Sequence, residues 1–197
     1  EILAMADQPQ FNPNSFNQYE RGNWKNRVIT DSFEPGSTFK LILAAAVLEE
    51  GIAGQNDIFF CENGELEIGG RVIHEAKGHK YKWLTLKEII GKSSNIGAIK
   101  IAQKLGAKKF FDYIVKFGMG SKTGIDMPGE STGKVRELDK WSSVSLASIS
   151  FGQEISVTAI QLVTAISVLA NGGLFMRPHI VKAVERDGVA VKVFKPE

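Results

Sequence analysis

The chain has 197 residues, 43% hydrophobic and 23% charged, ordinary values for a globular protein able to bury a sizeable core, and one domain is the default. Lys and Arg number 24 against 22 Asp and Glu, a net charge of +2 with no basic cluster on one segment, so nothing supports a nucleic-acid partner. The single cysteine, Cys61, excludes an internal disulfide and a four-cysteine metal site, and no apolar run reaches the ~18 residues of a membrane span.

The opening EILAMA, residues 1–6, reads as a short buried strand. A chain that begins in mid-strand, without an initiator Met or a signal peptide, is expected to be a piece of a longer protein. Residues 7–18, DQPQFNPNSFNQ, read as an irregular surface loop. After the breaker Pro35-Gly36 comes the strongest element, a helix apolar on every side through residues 41–48 and ended by Gly51. All-round apolarity predicts a place in the domain centre.

Between residues 58 and 75, Asn63-Gly64 and Gly69-Gly70 separate short β-prone runs and predict small hairpins. TLKEIIGK, residues 85–92, predicts a short helix capped by Thr85, with Glu88 three positions later. SSN interrupts it, and residues 96–106 predict a second helix ended by Gly106. Residues 107–118 predict a third, with Phe110, Phe111, Ile114 and Val115 on one face. Residues 119–134 are rich in turn formers, and residues 158–173 predict another mostly apolar helix with an Asn-Gly-Gly stop. Two strands around Asp187-Gly188, within residues 179–196, predict a hairpin. Strand, many helices, then strands argues for an α/β or α+β domain built around two buried helices.

The chemistry of interest sits at the mouth of the first apolar helix. Residues three apart share a helix face, so Ser37 and Lys40 turn their functional ends toward each other. A buried lysine favours its neutral form, and a neutral amine beside a hydroxyl can take that proton and activate the oxygen as a nucleophile. The helix N-terminus adds N–H groups and partial positive charge that favour an oxyanion. The plainer alternative makes Ser37 a cap and lets Lys40 reach out to solvent along its stem. In KSSNIG, Ser93 and Asn95 fall at a break between helices, where a hydroxyl can relay a proton and an amide can hold a peptide; a cap followed by a turn is the alternative.

Together EPGSTFK, SSNIG with Ser93 56 residues after Ser37, FGMGSKTGIDMPGE, GQEISVTAIQLVTAISVLANGG and RPHIVK resemble the transpeptidase domain of class B penicillin-binding proteins. The resemblance spans nearly the whole chain. It implies a penicillin-binding/serine β-lactamase-like transpeptidase fold, α/β (α+β) in class, with central buried helices and an antiparallel sheet that is incomplete here. Residues 1–197 would be a single partial domain.

It further implies that Ser37 is acylated by the penultimate D-Ala of a peptidoglycan stem peptide. Lys40 would be the general base, Ser93 would pass the proton to the leaving D-Ala, and Asn95 would hold the substrate backbone. β-Lactams would mimic D-Ala-D-Ala and block Ser37. The implied setting is outside the cytoplasmic membrane, on a membrane-anchored parent that works with other cell-wall synthesis proteins in division or elongation. No metal and no cofactor are implied.

The family also needs a K-[ST]-G triplet on a strand lining the site. Lys122-Thr123-Gly124 has that composition but lies between FGMGS and IDMPGE, with no alternating apolar run to make a sheet edge, and it is expected to be a structural segment. Ser121 replaces the glycine that a phosphate loop requires. The catalytic triplet is expected beyond the residues given, which would impair the fragment. In GQEISVT a glycine is expected where Glu154 stands, which puts local loop geometry in question.

His74 and His79, with Cys61 and Glu62, fit no strong metal spacing. Trp24, Trp83 and Trp141 read as packing residues, with Trp24 also placed to line a cleft. A sensor or scaffold module of the same fold that acylates without turnover, or a β-lactamase-like hydrolase, is the alternative function.

Overall fold

The structure, a computed structural model, describes residues 2–194. Residues 2–6 form no ladder with any other strand among the described residues, and Leu3 is 91% exposed, so the buried opening strand is not borne out; Glu1 lies outside the described residues. An apolar run needs a hydrogen-bonding partner to become a strand, and none is paired with it here. Two 3-10 turns, Pro13–Gln18 and Arg21–Trp24, give the loop that follows some order.

Helix α1 (Arg27–Thr30) leads into β1 (Ser32–Phe33), a 3-10 turn at Gly36–Phe39, and helix α2 (Lys40–Glu49). Strand β2 (Ile58–Phe60), the hairpin of β3 (Glu65–Ile68) and β4 (Arg71–His74), and β5 (Trp83–Thr85) follow. Then come α3 (Leu86–Lys92), α4 (Asn95–Leu105), α5 (Ala107–Lys116), α6 (Ser145–Ser150), β6 (Val157–Thr158), α7 (Ala159–Ala170) and the hairpin of β7 (Ala183–Arg186) and β8 (Val189–Val193). Among the described residues the named strands pair antiparallel, in four two-stranded ladders: β1 with β6, β2 with β5, β3 with β4, and β7 with β8.

The Gly69-Gly70 and Asp187-Gly188 turns make the expected hairpins. The Asn63-Gly64 turn does not. It closes a 3-10 turn, and β2 pairs instead with β5, more than twenty residues on. At Gly64, where φ is +95°, a side chain would run into the backbone of His79, so this glycine serves close chain approach and not strand reversal.

A main core, with two small satellite clusters around Ile29 and Ile99, holds the fold. Phe39, Ile42, Leu43, Ala46 and Val47 of the α2 segment pack with Ile96, Ile101 and Ala102 of α4, Phe110 and Ile114 of α5, and Ala165 and Val168 of α7. Helix α2 is central, as its composition predicts, but Leu41 and Leu48 stay exposed, so burial covers one broad face and not the whole circumference. On α5 the buried stripe is Phe110, Tyr113, Ile114 and then Phe117. Val115 points outward because it is one residue, about 100°, past that stripe. Helix α6, in the serine-rich WSSVSLASIS, has no sequence pattern that announces it. It forms against α4 by burying Ala147 and Ile149.

The turn that carries Ser37 is fixed from outside. The β1–β6 ladder pins residues 32–33, and the Gly36 N–H donates to the Gly152 carbonyl at 3.1 Å. Gly152 has φ +81°, and a Cβ there would collide with the backbone of Gly36. Gly152→Ala should therefore cost about 2–4 kcal/mol in urea unfolding, since strain and a backbone clash act together.

Candidate active site

The last residue of the 3-10 turn is Phe39, and Lys40 begins α2, so Ser37 and Lys40 lie one turn apart on the same side. Ser37 is exposed, whereas Lys40 is 1% exposed although it is a charged residue type. The lysine does not snorkel. Its Nζ lies 3.2 Å from Ser37 Oγ, 3.0 Å from Ser93 Oγ, 2.7 Å from the Ser93 carbonyl and 2.9 Å from Asn95 Oδ1.

These four neighbours suit a neutral amine. The Ser93 carbonyl and Asn95 Oδ1 can only accept, so they take two N–H donors. The remaining lone pair then faces two hydroxyls, Ser37 and Ser93, either of which can donate to it. Burial pulls the Lys40 pKa down from 10.5 to about 8, and the Glu75 carboxylate works in the opposite direction by favouring the ammonium.

Ser93 and Asn95 reach the lysine because of how two helices meet. Thr85 and Glu88 form the expected capping box at the start of α3. At its end Ser93 takes a left-handed conformation, φ +57° and ψ +40°, which only a closely held residue without glycine's freedom keeps. Ser94 then caps α4, its Oγ accepting from the Gly97 N–H at 2.9 Å. The turn thus presents Ser93 and Asn95 toward Lys40 and buries Ser94 between them.

All four expected residues, Ser37, Lys40, Ser93 and Asn95, meet at one point. Sequence reasoning missed Glu75, whose carboxylate is buried directly after β4 and accepts from the Ser94 hydroxyl and from the Asn95 N–H. No spacing rule marks a glutamate at the end of a hairpin strand, so only the folded chain places it.

Lys122-Thr123-Gly124 lies in no strand. Glu130 accepts from the N–H of Thr123 at 2.6 Å, from the Thr123 hydroxyl at 2.6 Å, and from the Gly124 N–H at 3.1 Å, which binds the triplet into its own loop. Glu154, where a glycine is expected, has φ +59°, a region that favours glycine. Its N–H donates to Glu34 at 3.0 Å and its carboxylate accepts from Arg136 and from Ser145, contacts that hold it there. Glu34, Arg71, Lys134, Arg136 and Glu154 line a charged cleft of about 440 Å³ that begins three residues before Ser37.

Trp24 packs on Phe16 and donates to the Phe16 carbonyl, within the N-terminal turns and not at the site; Trp83 and Trp141 pack on Phe60 and Phe111. His74 Nδ1 faces Glu65 at 3.8 Å, and His79 stacks on Tyr81. Among the described residues no helix is long and apolar enough to cross a membrane.

Residues 1–197 match the family described as the penicillin binding protein transpeptidase domain. Penicillin-binding protein PbpB of Mycobacterium tuberculosis is 34% identical over all of this chain and 29% of its own length. Stage V sporulation protein D of Bacillus subtilis is 38% identical over 92% of this chain and 28% of its own. The peptidoglycan D,D-transpeptidase FtsI of Escherichia coli is 32% identical over 98% and 32%. The chain thus spans about a third of the length of these curated relatives. Crystal structures of penicillin binding protein 3 from Mycobacterium tuberculosis, in the apo form and complexed with ampicillin, share the fold with TM-score 0.81 and 35% identity. They cover 87% of this chain and 39% and 38% of theirs.

The depressed Lys40 pKa has a consequence for stability. Between about 8 and 10.5 the unfolded chain holds a proton on this amine that the folded chain has lost, so stability rises with pH across that window and the penalty is complete below it. In Lys40→Met this rise should be absent, a difference of up to ~3 kcal/mol between the two proteins when urea unfolding is compared at the two ends of the window.

Proposed function

The chain belongs to the penicillin-binding-protein transpeptidase family, and from that premise we propose that it carries the acyl-transfer centre of a peptidoglycan D,D-transpeptidase. Ser37 Oγ attacks the carbonyl of the penultimate D-Ala of a stem peptide while its proton passes to Lys40 Nζ. The tetrahedral intermediate expels the terminal D-Ala, whose nitrogen receives that proton by way of the Ser93 hydroxyl. An amino group of a second stem peptide then attacks the Ser37 ester, forms the cross-linking amide and returns the proton to Ser37. Asn95 holds the backbone of the bound peptide with the second proton of its Nδ2, the first going to the His74 carbonyl and Oδ1 to Lys40.

β-Lactams acylate the same serine, in keeping with the ampicillin and aztreonam complexes of the Mycobacterium tuberculosis protein. The relatives' names place them in cell-wall synthesis, which supports an extracytoplasmic site of action. The observation that carries the reading is the 3.2 Å approach of a buried lysine amine to an exposed serine hydroxyl.

Intact-mass measurement after exposure to penicillin checks it. In the full-length protein one adduct should form, on Ser37, and Ser37→Ala should gain none; an adduct that survives this substitution contradicts the assignment. Lys40→Ala should slow acylation by about a thousandfold, the range of a positioned general base. Because Lys40 accepts the proton only when neutral, the wild-type rate should climb as pH rises through about 8. Lys122→Ala should leave the rate unchanged, since its triplet is occupied by Glu130.

A further inference from the structure

We propose that Glu75 is a positioning residue for this centre: its carboxylate clamps the Ser93-Ser94-Asn95 turn so that Ser93 and Asn95 stay on the Lys40 amine. The inference rests on the acyl-transfer reading above.

Glu75 is 5% exposed, and each of its oxygens holds one group of the turn. One accepts the Ser94 hydroxyl; the other accepts the Asn95 N–H at 2.6 Å. The Ser94 oxygen accepts from the Gly97 N–H, and its proton has the Glu75 carboxylate as its nearer acceptor, with the Cys61 sulfur at 3.8 Å. A carboxylate at the first turn of the eleven-residue α4 also meets the positive end of that helix.

The neighbouring residue completes the grip. The His74 carbonyl accepts from Asn95 Nδ2 at 3.2 Å, which leaves Asn95 Oδ1 facing Lys40. The end of β4 therefore holds Asn95 by its backbone through Glu75 and by its side chain through His74. Ser93, just before the clamped pair, keeps its left-handed backbone, and this orientation brings both its carbonyl and its hydroxyl to the amine.

The charged surroundings are few. Glu75 is the charged group that acts on Lys40. The turn of Ser37 offers the amine only a hydroxyl, and at the end of α3 Lys92 pairs with Glu88 at 3.7 Å. Behind Glu75 the buried Cys61 thiol lies 3.8 Å from the Ser94 hydroxyl, Lys100 pairs with Glu62 at 2.6 Å, and the His74 ring faces Glu65.

Two variants separate charge from reach. Glu75→Gln keeps the size and removes the charge; Glu75→Asp keeps the charge and withdraws it from the turn. For each, the Lys40 titration is followed by the NMR shift of its ε-carbon, assigned with Lys40→Arg, and penicillin acylation is followed against pH.

In Glu75→Gln the Lys40 midpoint should fall below that of the wild type, because a charge that favours the ammonium is gone, and the rising limb of the rate should move down with it. Its plateau rate should drop about tenfold or more, as small displacements of catalytic groups do. Glu75→Asp should keep the wild-type midpoint and recover part of the plateau. A Glu75→Gln protein that melts like the wild type and keeps both midpoint and plateau overturns the assignment. Should Glu75→Gln fail to fold, Glu75→Asp decides: an unchanged plateau overturns the assignment and a lowered one supports it. If the full-length protein takes no label at Ser37, the acyl-transfer reading falls, and the Lys40 midpoint in Glu75→Gln still decides whether Glu75 acts on the amine.

Discussion

A lysine amine kept out of water governs the arrangement of this domain. Removing an ammonium from water is expensive, so a buried lysine persists only where its N–H groups find acceptors and its charge can be given up. Here the acceptors come from two distant segments: Ser37 from the turn before α2, and Ser93 and Asn95 from the junction of α3 with α4. The core of α2, α4, α5 and α7 holds those segments at a fixed distance. This polar constellation is thus part of what the hydrophobic packing supports, and its polar atoms are satisfied with no buried side-chain donor or acceptor left unpaired among the described residues.

Each part of the centre is held by a contact that lies outside it. The Gly36–Gly152 approach sets the turn of Ser37, and Glu154 keeps a conformation suited to glycine because Glu34, Arg136 and Ser145 hold it. Glu75 and His74 do the same for the turn of Asn95. Ser37 itself remains open to solvent while Lys40 is enclosed. The two groups share one side of a helical turn, with the hydroxyl at its solvent edge and the amine 3.2 Å further in, where the dielectric is low.

Much of this was legible in the sequence, and the reasons differ by element. Helices α2, α3, α4, α5 and α7 carry local information: apolar spacing, capping boxes at Thr85 and Thr158, and glycine stops. Ser37, Lys40, Ser93 and Asn95 were legible through the joint family resemblance of EPGSTFK and SSNIG, since each segment alone also fits a cap, a turn or a lysine that reaches solvent. Long-range pairing was not. Strand β2 finds β5 across an intervening hairpin, and the opening residues, though apolar, find no ladder among the described residues. Glu75 was invisible for the same reason: its meaning depends on a partner turn twenty residues away.

The most direct test of the enclosed amine is the NMR titration of the Lys40 ε-carbon in the wild-type chain. A midpoint near 8, well below the 10.5 of an exposed lysine, is expected if burial beside Ser37, Ser93 and Asn95 prepares it to accept a proton. A midpoint at 10.5 would mean that Lys40 stays charged in the working range, and a lysine base for Ser37 would be contradicted.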